Sequence, residues 1–299
     1  MTKWMMALAL VAVTFSPAFA AQQQTEGAGN GKLEQVMPGH FVYSNGPRIS
    51  GVIVTSEGVV VIDSLSNEAM ARHEKSLIAA AASQPIRYLI ASTNHGNYTY
   101  GNVAYPEAIK IGTDLYKAGL LDTMKEDNLP PAVQAAMLPQ QTFRDRMTIS
   151  LGGKEIQILH VGRAHTRGDA IVFVPQDRIV YMSEVFFDGR FPFMNSGYLN
   201  WINAIDIALK LDADIFVPGQ GPSDIAQNPK GSREGLVRAR KVLTDFRDAV
   251  QQEIARGATE DQTVAAVLLP QYKEMAGYDQ QRALLVRRFY RDLKTGLPF

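Results

Sequence analysis

Apolar runs alternate with helical patterns through the first part of the chain. Residues 58–63 contain four successive apolar positions, a pattern typical of a strand buried on both faces. Residues 67–82 are rich in alanine and predict a helix, and residues 86–91 and 108–112 predict two further strands. This alternation of strands and helices indicates an α/β fold.

A glycine pair in the middle of the chain predicts a tight hairpin. Gly152 and Gly153 separate two strand-like segments, residues 147–151 and 155–159. Glycine readily adopts the positive φ values that such a turn needs. Further strands are predicted at residues 170–174, 178–182 and 214–218, with a helix at residues 198–211 before the last of them.

From Ser232 the pattern becomes helical. Apolar residues recur every three or four positions and form one stripe, typical of a helix packed on a core. Residues 259–262 have the form of a capping box and predict the start of a second helix, and residues 279–294 predict a third. The stripe consists of Leu236, Val237, Leu243, Phe246, Val250 and Ile254. The arginines of the last helix are interpreted as a solvated face rather than as the binding site of an anionic partner.

These patterns predict two sheets sandwiched between helical layers, an αββα arrangement. We expect one domain over residues 33–225. Residues 226–299 are predicted to form a helical extension that packs on this domain.

The N-terminus has the features of a secretory signal. Lys3 precedes an apolar run at residues 4–15, and an Ala-x-Ala site ends at Ala20, so cleavage after Ala20 is predicted. Residues 21–32 are polar and Gly-rich and predict a flexible tether. The protein is therefore expected to be periplasmic or secreted, without stable membrane insertion after cleavage. The alternative is an uncleaved membrane anchor.

Composition narrows the partners and the chemistry. The 299-residue chain is 46% hydrophobic, and its 30 basic and 30 acidic residues cancel, so no overall field points to nucleic acid or an anionic membrane. We therefore expect a small-molecule substrate or ligand and no nucleic acid; the oligomeric state is left open. The absence of cysteine excludes disulfides, thiolate metal ligands and a cysteine nucleophile.

Four polar segments follow predicted strands. The first, residues 93–98, reads Thr-Asn-His-Gly-Asn-Tyr. The second, residues 162–169, reads Gly-Arg-Ala-His-Thr-Arg-Gly-Asp. The third is the pair Ser183 and Glu184, and the fourth, residues 217–222, reads Val-Pro-Gly-Gln-Gly-Pro.

In order and spacing these segments resemble the motifs of the metallo-β-lactamase superfamily, in particular its exported hydrolase-like branch. The first family motif is His-x-His-x-Asp-His, and the second contains Gly-x-x-His-Thr-x-Gly-Asp. The third and fourth are Gly-Asp and Val-Pro-Gly-His-Gly-Pro. The resemblance implies the αββα fold of that superfamily, with extra C-terminal helices.

The resemblance also implies a zinc site in which this chain has lost most ligands. The family binds two zinc ions through imidazoles and a bridging carboxylate, and the ions activate water. Here Thr93, Asn97, Tyr98 and Gln220 stand at ligand positions where the family has histidine or aspartate. What remains is His95, His165 and Glu184. That set predicts at most one divalent ion, zinc or iron, and argues against a two-zinc site.

Two functions are consistent with this motif. The first is a hydrolase of a small ester, lactone, amide or phosphate, in which one ion activates water with Glu184 among its ligands. There Asn97 or Tyr98 positions the substrate or stabilises an oxyanion. The second is a pseudoenzyme, in which the remaining histidines and Glu184 form a metal-free polar network and the same cleft binds a ligand or partner. Hydrolysis of β-lactams is not expected.

The remaining polar residues are assigned supporting roles. Asp63 and Asp169 are expected to orient the loops around the site, as their family counterparts do. His160 is interpreted as a core residue, with a replacement metal ligand as the alternative. His40 and His73 are predicted to lie at the surface.

Overall fold

The computed structural model describes residues 30–193, 198–221 and 224–296. The predicted signal peptide at residues 1–20 and residues 21–29 of the predicted tether lie outside the described residues. The first described strand begins at Lys32, the last residue assigned to that tether.

The described strands form two sheets, as predicted. A seven-stranded sheet has the order β1-β2-β3-β4-β5-β6-β7, antiparallel up to β4 and parallel after it. A five-stranded sheet has the order β12-β11-β10-β9-β8, in which only β11 and β12 run parallel. The strands are β1 (Lys32–Met37), β2 (His40–Asn45), β3 (Arg48–Val54), β4 (Val59–Ile62), β5 (Ile86–Ile90), β6 (Ile109–Thr113), β7 (Gln141–Phe143), β8 (Arg146–Leu151), β9 (Lys154–His160), β10 (Ala170–Val174), β11 (Ile179–Tyr181) and β12 (Ile215–Val217).

Helices cover the outer faces of both sheets. The α-helices are α1 (Glu68–Ala81), α2 (Gly96–Thr99), α3 (Asp114–Glu126), α4 (Pro131–Met137), α5 (Tyr198–Leu209), α6 (Ser232–Ala255), α7 (Glu260–Ala266) and α8 (Tyr278–Thr295). Short 3-10 turns lie at Tyr100–Ala104, Pro175–Asp177, Ser183–Val185, Pro229–Gly231 and Pro270–Tyr272.

Strand β4 is an unbroken apolar run because both of its faces are buried. Val60 and Ile62 belong to the core between the two sheets. Val59 and Val61 point the other way and pack with Ala71 of α1. Because both faces are covered, every side chain of the strand is apolar. The layers are therefore helix, sheet, sheet and helix, which confirms the predicted αββα fold.

The first helix begins and ends where the sequence predicted. The Asn67 side chain caps it by accepting a hydrogen bond from Met70 N (2.8 Å), and Ala82 is its C-cap. The glycine hairpin is confirmed as well: Gly152 and Gly153 have φ values of 55° and 79° and join β8 to β9. The capping box at Thr259 and Gln262 starts α7.

The C-terminal helices share one hydrophobic cluster with the second sheet. In α6, Leu236 and Phe246 are buried, and Phe246 contacts Phe191 with ring centroids 5.4 Å apart. The assignment of Val237 to the apolar stripe was wrong, because this side chain is 49% exposed. In α8, Arg291 pairs with Glu260 (2.8 Å) of the neighbouring helix α7, so an anion within the chain accounts for its charge.

The surface position predicted for His40 was also wrong. His40 is fully buried, with Nε2 2.8 Å from Asp177 Oδ2 and Nδ1 3.1 Å from the Tyr181 hydroxyl. His73 is half-buried, and its Nδ1 lies 3.0 Å from the Tyr43 hydroxyl. Among the helices in the described ranges, none combines the length and the hydropathy needed to cross a membrane.

Candidate metal centre

The ends of several strands bring the polar segments to one edge of the sandwich. The first segment follows β5, and Glu184 and Gln220 follow β11 and β12. His165 lies in the loop that leads into β10. Ala170 N donates to Ser92 O (2.8 Å), a hydrogen bond that joins the two sheets at this edge. Residues that are far apart in the chain therefore meet in one place.

Three side chains converge there. Glu184 Oε2 lies 3.0 Å from His95 Nδ1 and 3.1 Å from His165 Nε2. The two imidazole nitrogens are 3.3 Å apart. Among the described residues, these three form the one cluster of ligating side chains that could hold a metal ion.

This triangle has the dimensions of a single-ion site. Zinc bonds to nitrogen and oxygen are about 2 Å long, so two ligand atoms of a tetrahedral ion stand about 3.3 Å apart. The observed separations of 3.0–3.3 Å match that spacing closely. The residues present therefore fit one divalent ion held by two imidazoles and one carboxylate, with a further position open for water or substrate.

Two of the three groups have the charge state that a cation site needs. Burial lowers the pKa of His165 to about 4, so its imidazole is neutral at pH 7. Burial works against the charged form of Glu184, but His165 and His95 outweigh it and lower the pKa of Glu184 to about 2. Burial also opposes protonation of His95, yet the Glu184 charge outweighs it and raises the pKa of His95 above its ordinary value. Metal ligation needs neutral imidazoles and an ionised carboxylate. His165 and Glu184 already have those states, whereas protonated His95 would have to release its proton when an ion binds.

The lost ligand positions are filled by other polar contacts. Tyr98 is fully buried, and its hydroxyl donates to Gly219 O (2.5 Å). The Gln220 amide donates through Nε2 to Glu184 Oε1 (2.8 Å). Thr93 Oγ1 lies 3.3 Å from Thr166 Oγ1. Tyr98 and Gln220 are thus both engaged in buried hydrogen bonds, and Gln220 occupies one oxygen of Glu184.

Asn97 lies at this edge but outside the cleft next to the triangle. Its side chain is half-buried, and its backbone carbonyl accepts a hydrogen bond from Ser66 Oγ (3.3 Å). The amide that lines the cleft beside His95 is Asn94 instead.

Asp63 and Asp169 are buried behind the triangle. Asp63 accepts hydrogen bonds from Ser92 Oγ (2.7 Å) and Ser183 Oγ (2.6 Å), and burial raises its pKa to about 6. Asp169 accepts bonds from the backbone N–H and the hydroxyl of Thr166, and burial raises its pKa to about 7. Asp63 therefore ties the loop before His95 to the turn that carries Glu184, whereas Asp169 braces the loop of His165 from within.

The serine and threonine side chains that donate to Asp63 and Asp169 were not recognised from the sequence. Ser183 has a φ of 46°, an uncommon left-handed conformation that directly precedes Glu184. Ser92 directly precedes Thr93, the first residue of the first polar segment. Their position next to motif residues could have indicated this role, since short hydroxyl side chains often form local hydrogen bonds.

An open cleft of about 560 Å³ reaches the triangle from the His95 side. The His95 side chain is 24% exposed, whereas those of His165 and Glu184 are buried. The lining residues are Asn94, His95, Gly96, Tyr100, Gly119, Asp122, Thr123, Glu126, Asp127, Arg163, Thr166 and Arg167. A small molecule would therefore approach an ion in this site past His95.

Aromatic rings enclose the other histidine. The His165 ring contacts Phe187, Phe193 and Trp201, with ring centroids 5.4–5.8 Å apart. Trp201 Nε1 donates to Val185 O (2.7 Å), which anchors the wall to the turn that carries Glu184. His160 lies outside the triangle, with Nδ1 2.9 Å from Asp169 O.

Comparisons with known proteins agree with the fold. The family model described as the metallo-beta-lactamase superfamily matches residues 45–220. The chain is 25% identical over 166 residues to the alpha subunit of a 2,4-dinitroanisole O-demethylase from Nocardioides sp.. This match covers 54% of the chain and 49% of that subunit, so the chain spans about half the length of the subunit.

A second relative by sequence and one solved structure are also similar to this chain. The chain is 26% identical over 216 residues to a type 2 metallo-beta-lactamase from Elizabethkingia meningoseptica, covering 68% of this chain and 80% of that protein. Its structure resembles that of a stereoselective inverting sec-alkylsulfatase from Pseudomonas sp., with a TM-score of 0.66 and 15% identity over 97% of this chain and 60% of that one. Since the family model covers more than half of the chain, the protein belongs to the metallo-beta-lactamase superfamily.

Proposed function

We propose that the protein is an exported hydrolase that uses one divalent metal ion to cleave a small ester, lactone, amide or phosphate. The observation that carries this proposal is the triangle of His95 Nδ1, His165 Nε2 and Glu184 Oε2, whose sides measure 3.0–3.3 Å. Export rests on the signal pattern of residues 1–20. The related proteins include a lactamase, a demethylase subunit and an alkylsulfatase, so family membership does not select one substrate.

Different residues of the chain would hold the ion and position the substrate. A bound ion would lower the pKa of water and polarise the substrate oxygen. His165 and Glu184 are buried and hold their positions, while His95 forms the wall of the cleft through which substrate enters. Asn94 lines the cleft beside His95 and takes the substrate-positioning role that the sequence suggested for Asn97. Tyr98 has no such role in the proposal, because its buried hydroxyl already donates to Gly219 O.

Cleavage of β-lactams is not proposed. The family resemblance implies two ions for that chemistry, and here Tyr98 and Gln220 stand at ligand positions of the second ion and are engaged in other hydrogen bonds.

The test is metal-dependent turnover. Metal-free protein would be loaded in turn with zinc, iron(II) or manganese and offered activated esters, lactones, anilides and phosphate esters. The proposal expects hydrolysis of at least one class that is lost in chelator and in His165→Ala. Turnover that persists unchanged in chelator and in both His95→Ala and His165→Ala would overturn it.

A metal-free binding protein is the second candidate. Its supporting observation is that the replaced ligands are hydrogen-bonded: Tyr98 to Gly219, Gln220 to Glu184 and Thr93 to Thr166. Such a network can be stable without an ion. Protein that takes up no zinc, iron or manganese at saturation, while remaining folded, would favour this candidate over the hydrolase.

A further inference from the structure

The two oxygens of Glu184 have separate partners. Oε2 faces both imidazoles, at 3.0 Å from His95 and 3.1 Å from His165. Oε1 accepts the hydrogen bond from Gln220 Nε2 at 2.8 Å. A carboxylate only accepts hydrogen bonds, so the NH₂ group of the amide must face it. The contact therefore assigns one oxygen to the triangle and the other to Gln220.

The backbone holds Gln220 firmly in this position. Its carbonyl accepts a hydrogen bond from Asp188 N (2.8 Å). The residues on either side are tied to the β2–β3 hairpin, through Ile49 N to Gly219 O (2.9 Å) and Gly221 N to Pro47 O (3.0 Å). Gln220 and Glu184 are both buried. The amide is thus presented at a fixed point rather than by a mobile surface side chain.

We propose that the Gln220 amide does for Glu184 what a second cation does for the bridging carboxylate of a two-ion site. It neutralises part of the charge on Oε1 and fixes the carboxylate plane, so that Oε2 alone is presented to one ion. This role rests on the proposed function, because it concerns how the same site holds its ion. Gln220 is a positioning residue: it touches Glu184 and acts on the metal through it.

The physical basis is the freedom of an unsupported carboxylate. Rotation about the terminal torsion of glutamate is broad and roughly two-fold, so without a partner on Oε1 the plane of Glu184 is not fixed. A buried carboxylate oxygen without a hydrogen-bond donor is also unfavourable. Removal of the amide therefore loosens the ligand. Loss of such an outer partner typically weakens metal affinity by about 10–100-fold.

The experiment compares two glutamine-to-methionine changes. Gln220→Met removes the donor with little change in size. The matched control is Gln227→Met, because Gln227 Nε2 also donates to a glutamate, Glu34 Oε1 (3.0 Å), at an exposed place away from the site. Zinc affinity would be measured by competition with a chromogenic chelator, and cobalt(II) absorption would report the ligand geometry.

We expect about 10–100-fold weaker zinc binding and an altered cobalt spectrum for Gln220→Met, and wild-type values for Gln227→Met. Gln220→Asn, whose amide is one methylene shorter, should resemble Gln220→Met and guards against a folding defect peculiar to methionine. Equal affinity and equal spectra in wild type and both Gln220 variants would overturn the inference alone. Absence of zinc and cobalt binding in the wild type would overturn the proposed function and this inference with it.

Discussion

At the scale of single residues, the site is organised around Glu184. Its carboxylate is fully buried, and its charge is balanced by the two imidazoles of His95 and His165 and by the Gln220 amide. A buried charge without partners is strongly destabilising. Each of these side chains is therefore required both for the stability of this edge and for any ion held there.

Removal of one imidazole should abolish metal binding. His95→Ala leaves one imidazole and one carboxylate, too few protein ligands for a stable zinc site. We expect loss of the bound ion by elemental analysis after gel filtration. His73→Ala is the control, since His73 contacts the Tyr43 hydroxyl rather than the site and should keep the ion. Undiminished zinc in His95→Ala would show that the ion binds elsewhere.

A buried glutamate outside the site should make stability depend on pH. Glu74 accepts a hydrogen bond from the Tyr105 hydroxyl (2.7 Å), and burial raises its pKa from 4.5 to about 7. The folded state therefore binds this proton more tightly than the unfolded state. The stability it contributes is complete below pH 4.5 and is lost as the pH rises to about 7, by about 3 kcal/mol at ~1.4 kcal/mol per pKa unit.

Glu74→Gln should remove that component. In urea titrations from pH 4.5 to pH 8, the wild type should lose more unfolding free energy than the variant as the pH rises. Glu57→Gln, a change at an exposed glutamate, should leave the wild-type slope in place. Parallel wild-type and Glu74→Gln profiles would mean that Glu74 keeps an ordinary affinity for its proton in the fold.

At the scale of elements, turn geometry can be tested at the β8–β9 hairpin. A side chain at Gly152 would meet Thr55 Oγ1 at 2.6 Å, whereas one at Gly153 would have nothing within 4 Å. Both residues have positive φ, which costs a non-glycine residue about 1–2 kcal/mol. Denaturant unfolding should show a loss of about that size for Gly153→Ala and a larger loss for Gly152→Ala. Equal losses would contradict the contact with Thr55.

The elements that the sequence predicted are those with strong local signals. Strand β4 has an unbroken apolar run, α1 has a capping asparagine at Asn67, and the hairpin has its glycine pair. Strands β1 and β7 were missed, because Lys32–Met37 mixes polar and apolar residues without strict alternation and Gln141–Phe143 is very short. These strands depend on pairing with their neighbours, and pairing is not visible in a local pattern.

The sequence predicted which residues form the candidate site but not which hydrogen bonds they make. The motif register pointed to His95, His165 and Glu184, and the structure brings these three together. The sequence did not show that Gln220 would turn its amide onto Glu184 or that Asn94 would line the cleft. Such contacts depend on side-chain directions at strand ends. The burial of His40 was missed for a similar reason, since its partners lie more than 130 residues away.

At the scale of the whole molecule, the strand ends of both sheets meet at one edge, where we propose a site for one ion in place of the two ions of the family. Restoring the family pattern tests this directly. The variant Thr93→His, Asn97→Asp, Tyr98→His and Gln220→His should bind more zinc than the wild type, because it returns imidazole and carboxylate ligands to the second position. A folded variant with no gain in bound zinc would show that the register of the first motif is wrong.

The number of ions per chain is the most direct test of the account. Metal-free wild-type protein would be titrated with zinc and then examined by native mass spectrometry alongside His165→Ala. We predict one zinc ion per wild-type chain and none in the variant, because the triangle of His95, His165 and Glu184 supplies ligands for one ion. Two tightly held ions per wild-type chain, or none at saturating zinc, iron and manganese, would contradict it.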